Sequence, residues 1–255
     1  MTPVAALLVA LAVAAMPVAQ QPATAAAVGP RGLAADYWPK VLALEAELRA
    51  DPGSLRTGAR YRELILVSGA HDRAIDLLAK LADARRDSIE AQANLALACI
   101  DKVPVSGKIR QALLGREAIE RLTAAIAIRP TPLMYYIRGL VNLFYDAIIF
   151  NRVRHGVSDL EEALRLQRLS PPRPYHAKVY IALGDGYWKL KDLPKAKAMW
   201  SEGLALMPDN EELAKRVNRQ GRDLEWTVRI ALDPDHRVDT SLKEILDDLR
   251  TLGLR

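Results

Sequence analysis

The sequence predicts an all-α fold, a right-handed solenoid of helix-turn-helix hairpins, on three observations. Its apolar residues are mainly Ala and Leu, with two Phe and 5% aromatics in all, and Ala and Leu favour helix over sheet. No segment alternates apolar and polar residues with the period of a strand. A set of small, aromatic and proline residues recurs at a fixed interval, the mark of a stacked repeat.

Composition narrows the function. Over 255 residues the chain is 50% hydrophobic and 26% charged, which excludes a disordered chain and a multi-span membrane protein. The net charge of +5 is compatible with an acidic partner without requiring one. The single cysteine, Cys99, excludes an intrachain disulfide framework and a cysteine-cluster zinc site.

The first element is a targeting segment. No Lys, Arg, Asp or Glu precedes Arg31, and Val4 to Met16 is Ala, Val and Leu almost throughout. This is the apolar core of a secretory signal, followed by small residues suited to cleavage between Ala19 and Ala27. The run Val4–Ala19 has 16 residues, short of the roughly 20 that span a bilayer. Residues 1–27 are therefore expected to be a cleaved signal peptide and 28–35 a linker. No cysteine follows to carry a lipid, so the mature chain is expected to be periplasmic or secreted. The alternative is an anchor formed by an uncleaved N-terminal helix, the one route by which the chain would contact a membrane.

Helical hairpins are expected over residues 36–210. Asp36 to Ala50 forms an amphipathic helix, with Val41, Leu44, Glu45 and Leu48 spaced in threes and fours. The clearest repeat lies between Ala177 and Asn210: Tyr180, Leu183, Gly184 and Tyr187, then Ala196, Trp200, Gly203 and Pro208. Small Gly184 and Ala196 let two helices approach, Tyr187 and Trp200 fill the space beside them, and Pro208 stops the second helix. These residues resemble the tetratricopeptide repeat, whose pattern W-x2-L-G-x2-Y…A-x3-F…P extends over about 34 residues. Weaker copies surround it. Gly69 to Ala74 with Leu78 looks like one, and Ile89 through Ala118, Leu122, Ala125 and Pro130 like another. A further copy starts at Tyr135-Tyr136-Ile137-Arg138-Gly139 and reaches Ala163.

About four repeats are thus expected, two of them with insertions near 102–113 and 143–157. Lys102–Lys108 contains Pro104 and Gly107 and reads as a loop. Leu143–Val153 lacks both, and it is expected to prolong the first helix of its hairpin by two or three turns. After Pro208, Asn210–Leu232 reads as one long helix, with Leu213, Val217, Leu224 and Val228 on one side. Ser241 and Glu244 have the spacing of a capping box, and the helices of 211–255 are expected to cover the end of the stack.

No catalytic constellation emerges, and the chain is expected not to be an enzyme and to need no cofactor or metal. His71, His155, His176 and His236 lie far apart and are expected at the solvated surface. There is no G-x-S-x-G elbow, Walker loop or G-x-G-x-x-G. Cys99 stands where Tyr187 stands in the best repeat and reads as a buried spacer. Arginines cluster at 56, 60 and 62 and at 216, 219 and 222, but a single aromatic, Tyr61, lies among them for base stacking and the chain reads as exported, so no nucleic-acid partner is expected.

What remains is a surface. In tetratricopeptide proteins the first helix of each pair lines a concave groove that holds a protein or peptide. By that resemblance the groove residues of the best repeat are Lys178, Ile181, Asp185, Trp188 and Lys189. The expected function is an exported interaction scaffold or adaptor for a protein or peptide partner. The alternative is an accessory binding protein for a small hydrophobic ligand, serving a transport system, with Phe144, Tyr145, Ile148 and Phe150 of the second insertion as the contacts.

Overall fold

The computed structural model describes residues 37–144, 152–233, 240–246 and 254. Helix α1 (Tyr37–Ala50) leads into four hairpins: α2 (Leu55–Ser68) with α3 (His71–Ala84), α4 (Ile89–Lys102) with α5 (Lys108–Ile128), α6 (Pro132–Phe144) with α7 (Val153–Gln167), and α8 (Ala177–Lys189) with α9 (Leu193–Leu206). Helices α10 (Glu211–Asn218) and α11 (Gly221–Ala231) follow, then α12, described over Lys243–Leu246. Among the described residues there is no strand.

Local chemistry sets many of the boundaries. Ser54, Ser88, Asp192 and Asn210 each cap a helix, the side-chain oxygen accepting from the N–H three residues on, a bond that satisfies a donor the helix cannot. Helix α2 ends at Gly69, left-handed at φ +69, whose N–H bonds to the carbonyl of Ile65. The loop read at Lys102–Lys108 is a 3-10 turn over Val103–Val105, and the rest of that insertion lengthens α5 to 21 residues.

The hairpins close where a side chain is missing. A Cβ on Gly184 would lie 2.2 Å from the indole nitrogen of Trp200, a side chain that is itself fully buried. Helices α6 and α7 touch backbone to backbone at Gly139 and Gly156, where a Cβ on Gly139 would meet the Gly156 carbonyl at 3.1 Å and Leu160 Cγ at 2.8 Å. This contact corrects the register read from the sequence. Gly156, Leu160 and Ala163 hold the places of Ala196, Trp200 and Gly203, so Ala163 belongs one helical step later than expected. Gly139 and Gly156 are 17 residues apart and Gly184 and Ala196 are 12 apart, so the insertion is five residues long, not a dozen. Residues 153–157 belong to α7 and not to a prolonged α6. The expected prolongation itself falls on 145–151, outside the described residues.

Two further expectations change. Asn210–Leu232 is not one helix, because the chain breaks after Asn218 and restarts at Gly221 with φ +51. His71 and His176 are buried, not solvated. His71 opens α3, and His176 packs edge-to-face on Tyr175 with ring centroids 4.7 Å apart. His155 is exposed.

The apolar side chains gather in two clusters. The first joins α1 to α6, and the second runs from the end of α6 to α11, with Tyr135 and Tyr136 packed against both. Helix α4 lies deepest, with every residue from Ala91 to Asp101 buried. Its buried amides find backbone partners: Gln92 donates to the Ala82 carbonyl at 2.8 Å and Asn94 to that of Ser54 at 3.2 Å.

The contact at Gly184 gives a direct test. Gly184→Ala forces an atom into Trp200, and overpacking of this kind destabilises by about 1–3 kcal/mol. In a chain of this size each kcal/mol lowers the Tm by about 2–4 °C, measurable as loss of helical circular dichroism. An unchanged Tm would show that the two helices separate without penalty.

Candidate functional site

Residues 240–246 meet side chains from the first helices of all four hairpins, α2, α4, α6 and α8. They return from the far end of the chain to reach α2, 178 residues earlier in sequence, where an Arg62 nitrogen donates to the carbonyl oxygen of Thr240 at 2.9 Å. The other terminal nitrogen of Arg62 pairs with Asp101 on α4 at 3.0 Å, both side chains 2% exposed. The Thr240 hydroxyl donates to the second Asp101 oxygen. Leu242 and Ile245 are buried and join the first apolar cluster. Ile245 lines a small hollow together with Leu133 and Tyr136 of α6, Tyr175, and Val179 of α8. Charges flank the apolar pair, with Lys243 on Glu63 at 3.0 Å and Glu244 on Lys178 at 3.2 Å.

Of the residues expected to line the groove, Lys178 is thus engaged by the chain's own C-terminal segment. Ile181 and Trp188 are half-buried against the second apolar cluster, Trp188 with the Lys191 ammonium 5.2 Å from its ring centre. Lys189 donates to the Leu143 carbonyl at 2.7 Å, tying the end of α8 to the end of α6. Asp185 lies away from the groove surface. It is 2% exposed, accepts two bonds from Arg216 of α10 at 2.7 and 2.8 Å, and takes a third from the Trp200 indole at 3.2 Å. Its role is to join the fourth hairpin to α10. Phe144 is half-buried against the second cluster, while Tyr145, Ile148 and Phe150 lie outside the described residues.

The residues that grip the segment, Arg62, Asp101 and Thr240, were not singled out as groove residues from the sequence. One signal pointed to Arg62. Twelve residues before Ala74, it falls where the other hairpins carry Ala96, Gly139 and Gly184. With a long side chain in that register α2 packs more on α4 than on its own partner α3. Both arginine clusters also contain an interior member, since Arg62 and Arg216 are each 2% exposed in ion pairs.

The described residues hold no group of three or more His, Cys, Asp or Glu able to bind a metal ion, and no helix among them is long and apolar enough to cross a membrane. Cys99 is fully enclosed. Burial, followed by the nearby Glu117 charge, pushes its thiol up to about 12, so little of the reactive thiolate exists at neutral pH.

Comparison with solved structures shows the same architecture. The chain is similar to TTC0263, a thermophilic tetratricopeptide protein of Thermus thermophilus, at 18% identity and a TM-score of 0.54 over 71% of this chain and 88% of that one. The fold is a tetratricopeptide-type solenoid. MamA is also similar, at 21% identity and a TM-score of 0.47, over 68% of this chain and 90% of that one. No protein-family model and no curated protein matches the sequence.

Two measurements test the interior chemistry. Asp185→Ala leaves the buried Arg216 charge with only the half-exposed Glu212 carboxylate, a change expected to destabilise by about 3–5 kcal/mol in urea unfolding, whereas the paired replacement Asp185→Leu with Arg216→Met is expected to lose less. A double variant less stable than Asp185→Ala would contradict this. Cys99 is expected to react with a disulfide reagent in native buffer only as fast as the protein opens, and promptly in denaturant. Rapid native labelling would place the thiol at the surface.

Proposed function

We propose that this chain is an exported scaffold that holds a segment of a partner protein against the face formed by α2, α4, α6 and α8, without catalysis. The observation that carries the reading is that this face already grips a short piece of polypeptide. It does so through a guanidinium on a main-chain carbonyl, a carboxylate on a hydroxyl, and an apolar cluster that buries Leu242 and Ile245. Those are the contacts of peptide recognition, polar groups fixing the backbone and apolar sites selecting side chains. The tetratricopeptide-type fold supports the same reading, because it sets such helices along a concave surface. Export is supported by the charge-free, apolar stretch ahead of Arg31.

The test is site-specific photocrosslinking in the cell envelope. A photoreactive residue in place of Trp188, which makes no contact with residues 240–246, is expected to capture a protein. The same group in place of Ile109, an exposed residue at the start of α5, is expected to capture none. Capture from position 109 alone would move the interaction to another face. The intact mass of the captured chain reports on export, with the residues up to a site between Ala19 and Ala27 expected to be missing.

A further inference from the structure

We propose that residues 240–246 are a built-in competitor for the groove, and that a partner segment of the same chemistry enters only by displacing them. The inference rests on the scaffold reading above and concerns the regulation of that same site.

The placement of the segment is the first argument. A cover for the exposed end of the stack would lie on α11, yet this segment bypasses α11 and meets α2, α4 and α8. Its anchoring is the second. Leu242 and Ile245 are buried in the apolar cluster of α1 to α6, and not in the one that holds Leu213 of α10 and Val228 of α11. The third is Arg62. A small residue in its register closes a hairpin, as Gly184 does on Trp200. Arg62 forgoes that closure, leaves its own Nε without a partner, and commits both terminal nitrogens to Asp101 and the Thr240 carbonyl. A buried arginine stabilises a fold poorly; one aimed at a main-chain carbonyl reads any polypeptide laid across it.

The chemistry of a displacing partner follows from the contacts. Asp101 selects a hydroxyl residue, and the apolar cluster that includes Leu133 selects aliphatic ones at the places of Leu242 and Ile245. Glu63 and Lys178 select a base followed by an acid between them. In this chain that order is Thr240-Ser241-Leu242-Lys243-Glu244-Ile245. A tethered segment acts at an effective concentration of the order of millimolar, and the affinity of any competitor falls by the fraction of molecules whose groove is open.

The experiment uses the full chain and a fluorescent synthetic peptide of residues 240–255, with binding followed by anisotropy. Leu242→Asp with Ile245→Asp removes the apolar anchors of the tethered copy and leaves the groove untouched. The opened chain is expected to bind the peptide about tenfold tighter than the native chain. Adding Glu63→Lys and Lys178→Glu is expected to weaken that binding several-fold, and a peptide with its Lys and Glu exchanged is expected to restore it. An opened chain of native helical content that binds no tighter than the native one overturns the proposal. Should the double aspartate variant lose its helical signal, Lys243→Glu with Glu244→Lys loosens the segment through two exposed side chains. Tighter peptide binding then supports the proposal, and equal affinity overturns it. Failure here is separable from failure of the scaffold reading. A partner crosslinked from position 188 that binds native and opened chains equally sinks the competitor and leaves the scaffold standing.

Discussion

Two helices lie this close only where one of them lacks a side chain at the crossing, and the whole solenoid is arranged around that constraint. Gly184 against Trp200, and Gly139 against Gly156 and Leu160, fix the distance within their hairpins. Gly203 then admits Tyr180 and Leu213, which sets α10 on the fourth hairpin. Interiors packed at this density are sensitive to a single added methyl group. The one hairpin that departs from the rule, with Arg62 in the small-residue register, is also the one whose first helix binds the C-terminal segment through that residue.

Charge joins the helices alongside apolar packing. Arg216 and Asp185 link α10 to α8, Arg138 and Asp159 link α6 to α7 at 2.6 and 2.9 Å, and Arg73 reaches from α3 to Glu45 of α1 at 2.6 and 2.9 Å. Burial works to raise the pKa of the Glu45 carboxyl, but its bonds from Arg73, Tyr61 and Arg49 outweigh this and hold it below its ordinary value. Such pairs add little net stability over apolar packing, yet breaking one is severe because a buried charge is left behind. They fix the angle at which each unit meets the next. That makes the shape of the groove a property of interior ion pairs as much as of the residues lining it.

The hairpin between Ala177 and Asn210 was legible in the sequence because each of its positions has one physical job, and no other residue type does it. The α6–α7 register was not, since Gly156 and Ala163 are both small and seven residues apart, two turns along one helical face. Either satisfies the pattern, and only the three-dimensional contact distinguishes them. The break between α10 and α11 was hidden because Leu213, Val217, Leu224 and Val228 keep helical spacing straight across it. Asp185 looked like a groove residue because its partner, Arg216, lies 31 residues away and no local rule connects them. The groove's occupant was illegible for the same reason at greater range, although Arg62 in a position reserved for Gly or Ala marked the spot.

The bond between Arg62 and Thr240 spans 178 residues in a protein otherwise built from neighbours packing on neighbours. Local contacts form early and distant ones late, because the loop between them must first be closed. The hairpins α2 to α9 therefore assemble from local contacts before residues 240–246 dock on them. Each folding molecule passes through a stage with its groove formed and vacant, and a partner present at that moment meets no rival.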